Sequence, residues 1–212
     1  MTKIIGILNL TLDSFSDGGM YYDVDSAKKH VSDMISQGAD IIDLGAESTR
    51  SGFTDIDEDI QINTLLPVVD FINDNYKIPI SIDTRSSKVA MAFENYNIQF
   101  INDVSSGLHD SNMLNAVSRL GCGFIMTHMP REHKEGKIKV FDNIVNEISE
   151  YFIERIGAAS TQSIGSSIKL NATDASKNGI AFRVYGCGIY GAEKEKDRMI
   201  VSLESVVVLP KN

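Results

Sequence analysis

Cysteine is scarce in this chain: Cys122 and Cys187 stand far apart, with no C-x-x-C spacing. That argues against a disulfide framework and against a zinc cluster. No apolar run approaches the ~20 residues needed to span a bilayer. The N-terminus, Met1 to Gly6, has no cationic region leading into a long apolar stretch, so no secretory signal is expected and the cytoplasm is the expected compartment. Basic charge is also short: 20 Lys+Arg stand against 29 Asp+Glu, a net charge of -9. General nucleic-acid binding needs a basic face and is not expected. An anionic small substrate stays open, because a few local cations and amides can override the global field. What is present is ordinary for a globular chain: 212 residues, 42% hydrophobic and 23% charged. That suffices for one domain, or two small ones, with a sizeable core.

The charge is unevenly spread. Residues 1–160 carry 13 basic and 24 acidic side chains, and residues 161–212 carry 7 and 5. Thr161 to Asn178 is rich in Ser, Thr, Asn and Ala with weak periodicity. A boundary is placed near Gly157, separating residues 1–157 from a divergent segment, 158–212, either of the same domain or poorly ordered.

Before that boundary, strand and helix signals alternate. Short apolar runs at 4–8, 40–44, 78–83, 99–102 and 123–127 read as buried strands. Helical stripes follow each: one after an Asp25 cap and stopping at Gly38, one after Asp57-Glu58-Asp59 with a kink or second start at Pro67, then 86–96, 110–119 and 141–156. Five βα units imply a parallel sheet covered by helices. The choice is a (β/α)₈ barrel or an open doubly wound sheet. The missing G-x-G-x-x-G after the first strand lowers the dinucleotide-binding version.

Polar residues cluster where the strands end: Asn9, then Glu47-Ser48-Thr49-Arg50, Asp83-Thr84-Arg85, Asn102-Asp103 and His128. In both architectures that edge carries the active site. Any one of these could be a turn former or a cap, but five consecutive strands doing so together point to a shared site. Arg50 offers a planar fork for phosphate, with Ser48 and Thr49 beside it; the alternative is an ion pair with Glu47 or the Asp55–Asp59 run. Asp83 and Asn102 can read a heterocycle with adjacent donors and acceptors. Asn9 is a neutral oxygen ligand suited to Mg²⁺ held by phosphates. The loop 13–19 reads as a lid with Phe15 available to stack on a ring, or as a surface loop with Phe15 in the core. His128 reads as packed or capping, and His30, His109 and His133 as surface residues.

Residues 6–19, G-I-L-N-L-T-L-D-S-F-S-D-G-G, resemble the first signature of the dihydropteroate synthases. Residues 39–52, A-D-I-I-D-L-G-A-E-S-T-R-S-G, resemble the second. I-S-I-D-T at 80–84, I-N-D-V-S at 101–105 and I-M-T-H-M at 125–129 are similar to the next three. The resemblance implies a TIM-type (β/α) barrel, Mg²⁺, a homodimer as first expectation, and a folate-pathway transferase. That family joins 4-aminobenzoate to 6-hydroxymethyl-7,8-dihydropterin diphosphate and releases pyrophosphate. It also implies roles: Asn9 for Mg²⁺ and diphosphate, and Thr49 and Arg50, the catalytic pair, for diphosphate. Phe15 and Ser51 would help form the aminobenzoate pocket with that pair, and Asp83 and Asn102 would bind the pterin.

Departures from the family pattern are Leu12 and Ser51, where Pro is usual, and Ala46, where Gly is common. After Gly157 only Tyr185 to Gly191 echoes the family's D-P-G-x-G-F-G-K stretch, and its S-R-K and R-x-H segments have no counterpart. A full barrel takes at least ~200–250 residues. The expected barrel is therefore incomplete or unconventionally closed at the C-terminus, completed by a partner chain, or that of a truncated or frame-shifted relative. Functionally this leaves an active synthase, a catalytically impaired pterin- or diphosphate-binding relative, or a product without a stable fold.

Overall fold

The computed structural model describes residues 3–10, 23–48, 54–129, 142–164 and 180–184. In chain order the elements are β1 (Ile5–Asn9), α1 (Val24–Ser36), β2 (Ile41–Gly45), α2 (Glu58–Asn75), β3 (Ile80–Asp83) and α3 (Ser87–Ala92). They continue with β4 (Ile98–Asp103), α4 (Met113–Leu120), β5 (Gly123–His128), α5 (Ile144–Ile164) and β6 (Ile180–Val184). All five strand pairings are parallel, in the order β1-β2-β3-β4-β5-β6. A doubly wound sheet reverses its order at a switch point. This one never reverses, so right-handed crossovers stack every helix on one side. Among the described residues the architecture is a six-stranded portion of a (β/α) barrel. The sixth strand is beyond the five expected units. Ile180–Val184 pairs with all of Phe124 to His128, but its short apolar pattern lies in a polar surround that hid it.

Local chemistry sets the helix ends. Asp23, rather than Asp25, caps α1, because its carboxylate accepts from the Asp25 N–H at 3.1 Å. Asp57 caps α2 through the N–H groups of Asp59 and Ile60. Pro67 neither splits nor restarts α2, which is one helix over Glu58–Asn75. The cost is one missing bond to the carbonyl of Asn63, an exposed position that water can serve. α3 is shorter than its stripe, because residues 93–96 close in tight turns, Phe93 N to Ala90 O at 3.3 Å and Tyr96 N to Phe93 O at 3.0 Å. α4 starts at Met113, because the Asp110 carboxylate is held by the N–H groups of Asn112 and Ser87. α5 runs on past Gly157 to Ile164.

The sheet is divided by the alternation of its side chains. Ile42, Leu44, Ile80, Ile82, Ile101, Phe124 and Met126 are buried in the core shared with Val31, Leu65, Val68, Ile72, Val89 and Met113 of the helices. The alternate positions, Asn9, Asp43, Gly45, Ser81, Asp83, Asn102 and Thr127, belong to the other, concave face. Leu65→Ala, at a fully buried position of α2, is expected to cost ~2–5 kcal/mol. Ile60→Ala, 50% exposed on the same helix, is expected to stay within about 0.5 kcal/mol. Urea unfolding midpoints check this, and equal costs would count against the described helix face.

Candidate functional site

The register places Asn9 beside Gly45, Gly45 beside Asp83 and Asp83 beside Asn102. Three of the polar residues read from the sequence thus share one row across β1 to β4. The ladder stays bonded up to that row: Leu10 N donates to Gly45 O at 2.7 Å, and Thr84 N to Asn102 O at 3.0 Å. Gly45 is what lets its neighbours approach. A Cβ there would stand 3.3 Å from Asn9 Oδ1 and 3.3 Å from Asp83 Cβ. Thr49, Arg50, Ser51 and Phe15 lie outside the described residues, as do Leu12 and the 185–191 segment.

Around the row the polar groups are mostly buried. Asn102 is 2% exposed and donates its amide to Asp43 Oδ2 at 3.0 Å; Asp43 is itself 2% exposed. Asn102 Oδ1, Ser81 Oγ and Thr127 Oγ1 are buried without a hydrogen-bond partner among the described residues. Such groups normally find one, so this face has hydrogen-bonding capacity open to water or a polar ligand.

One step outward lies a buried ion cluster. Arg85 donates to Glu47 Oε2 from Nε at 2.8 Å and contacts it through Nη2 at 2.6 Å. The same Nη2 reaches Asp55 Oδ1 at 2.8 Å, and Nη1 meets His109 Nδ1 at 3.3 Å. Burial alone would lower the guanidinium's pKa, but the Asp55 and Glu47 carboxylates outweigh it and hold the value above the ordinary one. Of the anions considered as partners for Arg50, Glu47 and the Asp55–Asp59 run, Arg85 binds Glu47 and Asp55.

Asp103 has a different task from its neighbour Asn102. It accepts from Ser105 N and Oγ and from Gly107 N, all at 2.7 Å, and so folds the loop after β4. Burial pushes its carboxyl above the ordinary range against those donors. The loop turns through Ser106 at φ 53° and Gly107 at φ 78°. α5 clamps it: Arg155 Nε donates to Ser106 O at 3.0 Å and Tyr151 Oη to Ser105 O at 3.4 Å, while Tyr151 Oη also reaches Thr127 O of β5 at 3.1 Å. His128 is buried with its ring edge-on to Tyr151, 5.0 Å between centroids. It is a packed histidine, and His30 and His109 are exposed.

Residues 5–168 match the family described as pterin binding enzyme. The chain belongs to that family. A dihydropteroate synthase of Staphylococcus epidermidis is 45% identical over 139 residues, 63% of this chain and 51% of that protein. One of Clostridium beijerinckii is 40% identical over 149 residues, 70% of this chain and 55% of that protein. The structure of a Xanthomonas albilineans dihydropteroate synthase with 4-aminobenzoic acid is similar at a TM-score of 0.68 and 33% identity, over 76% of this chain and 57% of that one. The chain spans about half the length of the curated relatives it matches.

Two parts of the site escaped the strand-end reading. Asp43 sits inside an apolar strand, and a charge interrupting Ile41-Ile42-Asp43-Leu44 was the signal for it. Arg85 was quoted with its strand end, but nothing local shows that Glu47 and Asp55 converge on it. Arg85→Met is expected to cost ~3–5 kcal/mol, because it leaves Glu47 buried and unpaired. Asp55→Asn, at a carboxylate 53% exposed, is expected to cost under about 1 kcal/mol. Urea unfolding compares them, and an Arg85→Met cost no larger than that of Asp55→Asn would refute the central place of this cluster.

Proposed function

We propose that this chain is a dihydropteroate synthase-like transferase. It condenses 6-hydroxymethyl-7,8-dihydropterin diphosphate with 4-aminobenzoate and releases pyrophosphate. The observation that carries the reading is the single row of Asn9, Asp83 and Asn102 on the concave face of a pterin binding enzyme. Solved relatives with 4-aminobenzoic acid and with 7,8-dihydropterin's condensed product, 7,8-dihydropteroate, support the choice of substrates.

In this reading Asp83 and Asn102 hold the pterin ring. Thr49 and Arg50 hold the diphosphate as it leaves, and with Phe15 and Ser51 they form the aminobenzoate pocket. Residues 1–157 carry the pterin-binding portion. A reaction in which the diphosphate departs and the arylamine traps the pterin-stabilised cation needs orientation and leaving-group stabilisation more than a strong base. Magnesium fits the donors present. Asn9 offers one neutral oxygen on the open side of Gly45, and among the described residues no three His, Cys, Asp or Glu side chains form a metal cage of their own. Mg²⁺ commonly takes one or two protein ligands and completes its shell with water and substrate phosphates. Bound there, it would neutralise charge on the leaving diphosphate. No helix among the described residues is long and apolar enough to cross a membrane; a cytoplasmic homodimer is part of the proposal.

The test mixes the purified chain with the pterin diphosphate, Mg²⁺ and 4-aminobenzoate and follows pyrophosphate release, with calorimetry of pterin binding alongside. Pterin binding with slow turnover is expected, since each leaving-group donor that is lost costs ~10²–10³ in rate. Binding without turnover would leave a pterin-binding module, and no pterin binding would sink the proposal. Arg50→Ala is expected to weaken diphosphate binding more than pterin binding, and equal loss of both would remove Arg50 from its role.

A further inference from the structure

Asn102 and Asp43 meet from strands that are not neighbours. Their amide and carboxylate are 3.0 Å apart across β3, on which Ser81 stands in register with Asp43. Two features open that path. The face is concave, which brings side chains two strands apart toward each other, and Ser81 is small. Both partners are 2% exposed, so water does not compete for the bond.

The chemistry of the pair has only one orientation. A carboxylate accepts hydrogen bonds and cannot donate them, whereas a carboxamide has a donor end and an acceptor end. Facing Asp43, Asn102 must turn its NH₂ group to the carboxylate. Its Oδ1 then points away from Asp43, buried and without a hydrogen-bond partner among the described residues. Without Asp43, the amide could turn over and offer either end.

We infer that Asp43 is a positioning residue that locks the Asn102 amide, so that the site reads an N–H or O–H donor on the bound heterocycle and rejects an acceptor at that point. The inference rests on the reading of Asn102 as a pterin contact. A pterin carries donors and acceptors on adjacent ring positions, so a locked acceptor selects one way for the ring to enter. Asp43 touches no substrate in this scheme and acts only through Asn102.

The test uses the full chain and pterin binding by calorimetry. Asp43→Asn keeps the shape but frees the amide, and is expected to weaken binding roughly 10- to 100-fold. Asn102→Asp alone faces two carboxylates and is expected to bind weakly as well. The double variant Asp43→Asn/Asn102→Asp restores a donor facing an acceptor and keeps an oxygen toward the ligand. It is expected to recover binding to within about threefold of the original chain, a strong non-additivity. A double variant no better than Asp43→Asn overturns the inference. In the ligand-free ¹⁵N-labelled chain, the Asn102 side-chain amide protons should exchange slowly and lose that protection in Asp43→Ala; unchanged exchange also overturns it. If the original chain binds no pterin, the functional reading fails, while the exchange measurement still decides whether Asp43 fixes the amide.

Discussion

A parallel sheet with every helix on one side has two unequal faces, and the rest of this molecule follows from that inequality. The helix-facing positions must be apolar, because ~25 cal/mol per Å² of buried apolar surface is the main force holding the layers together. Ile42, Leu44, Ile80, Ile82 and Ile101 meet that demand. Most polar groups on the strands then occupy the alternate positions, on the concave face, whereas Asp103 and His128, at the ends of β4 and β5, lie on the helix side, tied to the loop after β4 and to α5. The in-order pairing from β1 to β6 puts the concave-face groups side by side. A slip of one residue in any strand would send its polar groups into the core, so the register that stabilises the fold is also what aligns the site.

The buried charges show how the strand-end loops are tied to that sheet. Arg85 draws Glu47, on one side of the 48–54 stretch, and Asp55, on the other, to the end of β3. Desolvating these groups is costly, and a buried ion pair need not outdo an apolar replacement in stability. Its geometric effect is clear, because a guanidinium fork with two carboxylates fixes directions as well as distances. Arg155 and Tyr151 do the same for the loop after β4 with neutral backbone acceptors, Ser106 O and Ser105 O. Two carboxylates beside the site, Glu47 and Asp55, are thereby balanced by a cation.

The strands and their order of appearance were legible because buried parallel strands are short apolar runs that differ sharply from amphipathic helices. Asn9, Asp83 and Asn102 were legible because they end such runs. Less legible was whatever depends on distance in space. Helix ends shifted by a few residues where one side chain had two candidate uses: Asp110 ties α3 to α4 instead of opening a helix itself. Pro67 looked like a break, yet burial of Leu65, Val68, Val69 and Ile72 along one face keeps α2 whole. β6 was missed because five residues in a polar stretch carry too little pattern. Arg85's partners lie 30 and 38 positions away, and no periodicity reports such convergence.

Asp43 joins these threads. A strand buried on both faces does not carry a carboxylate for stability, since an apolar residue of the same size would avoid the desolvation cost. Its hydrogen bond to Asn102 offsets part of that cost, but a smaller neutral acceptor could have served for packing alone. In its bond to Asn102, Asp43 is the acceptor. It thereby removes one of the two orientations open to a buried amide. In a site where Ser81, Asn102 and Thr127 all keep an oxygen without a partner among the described residues, that restriction separates a merely polar cavity from one that reads the direction of a ligand's hydrogen bonds.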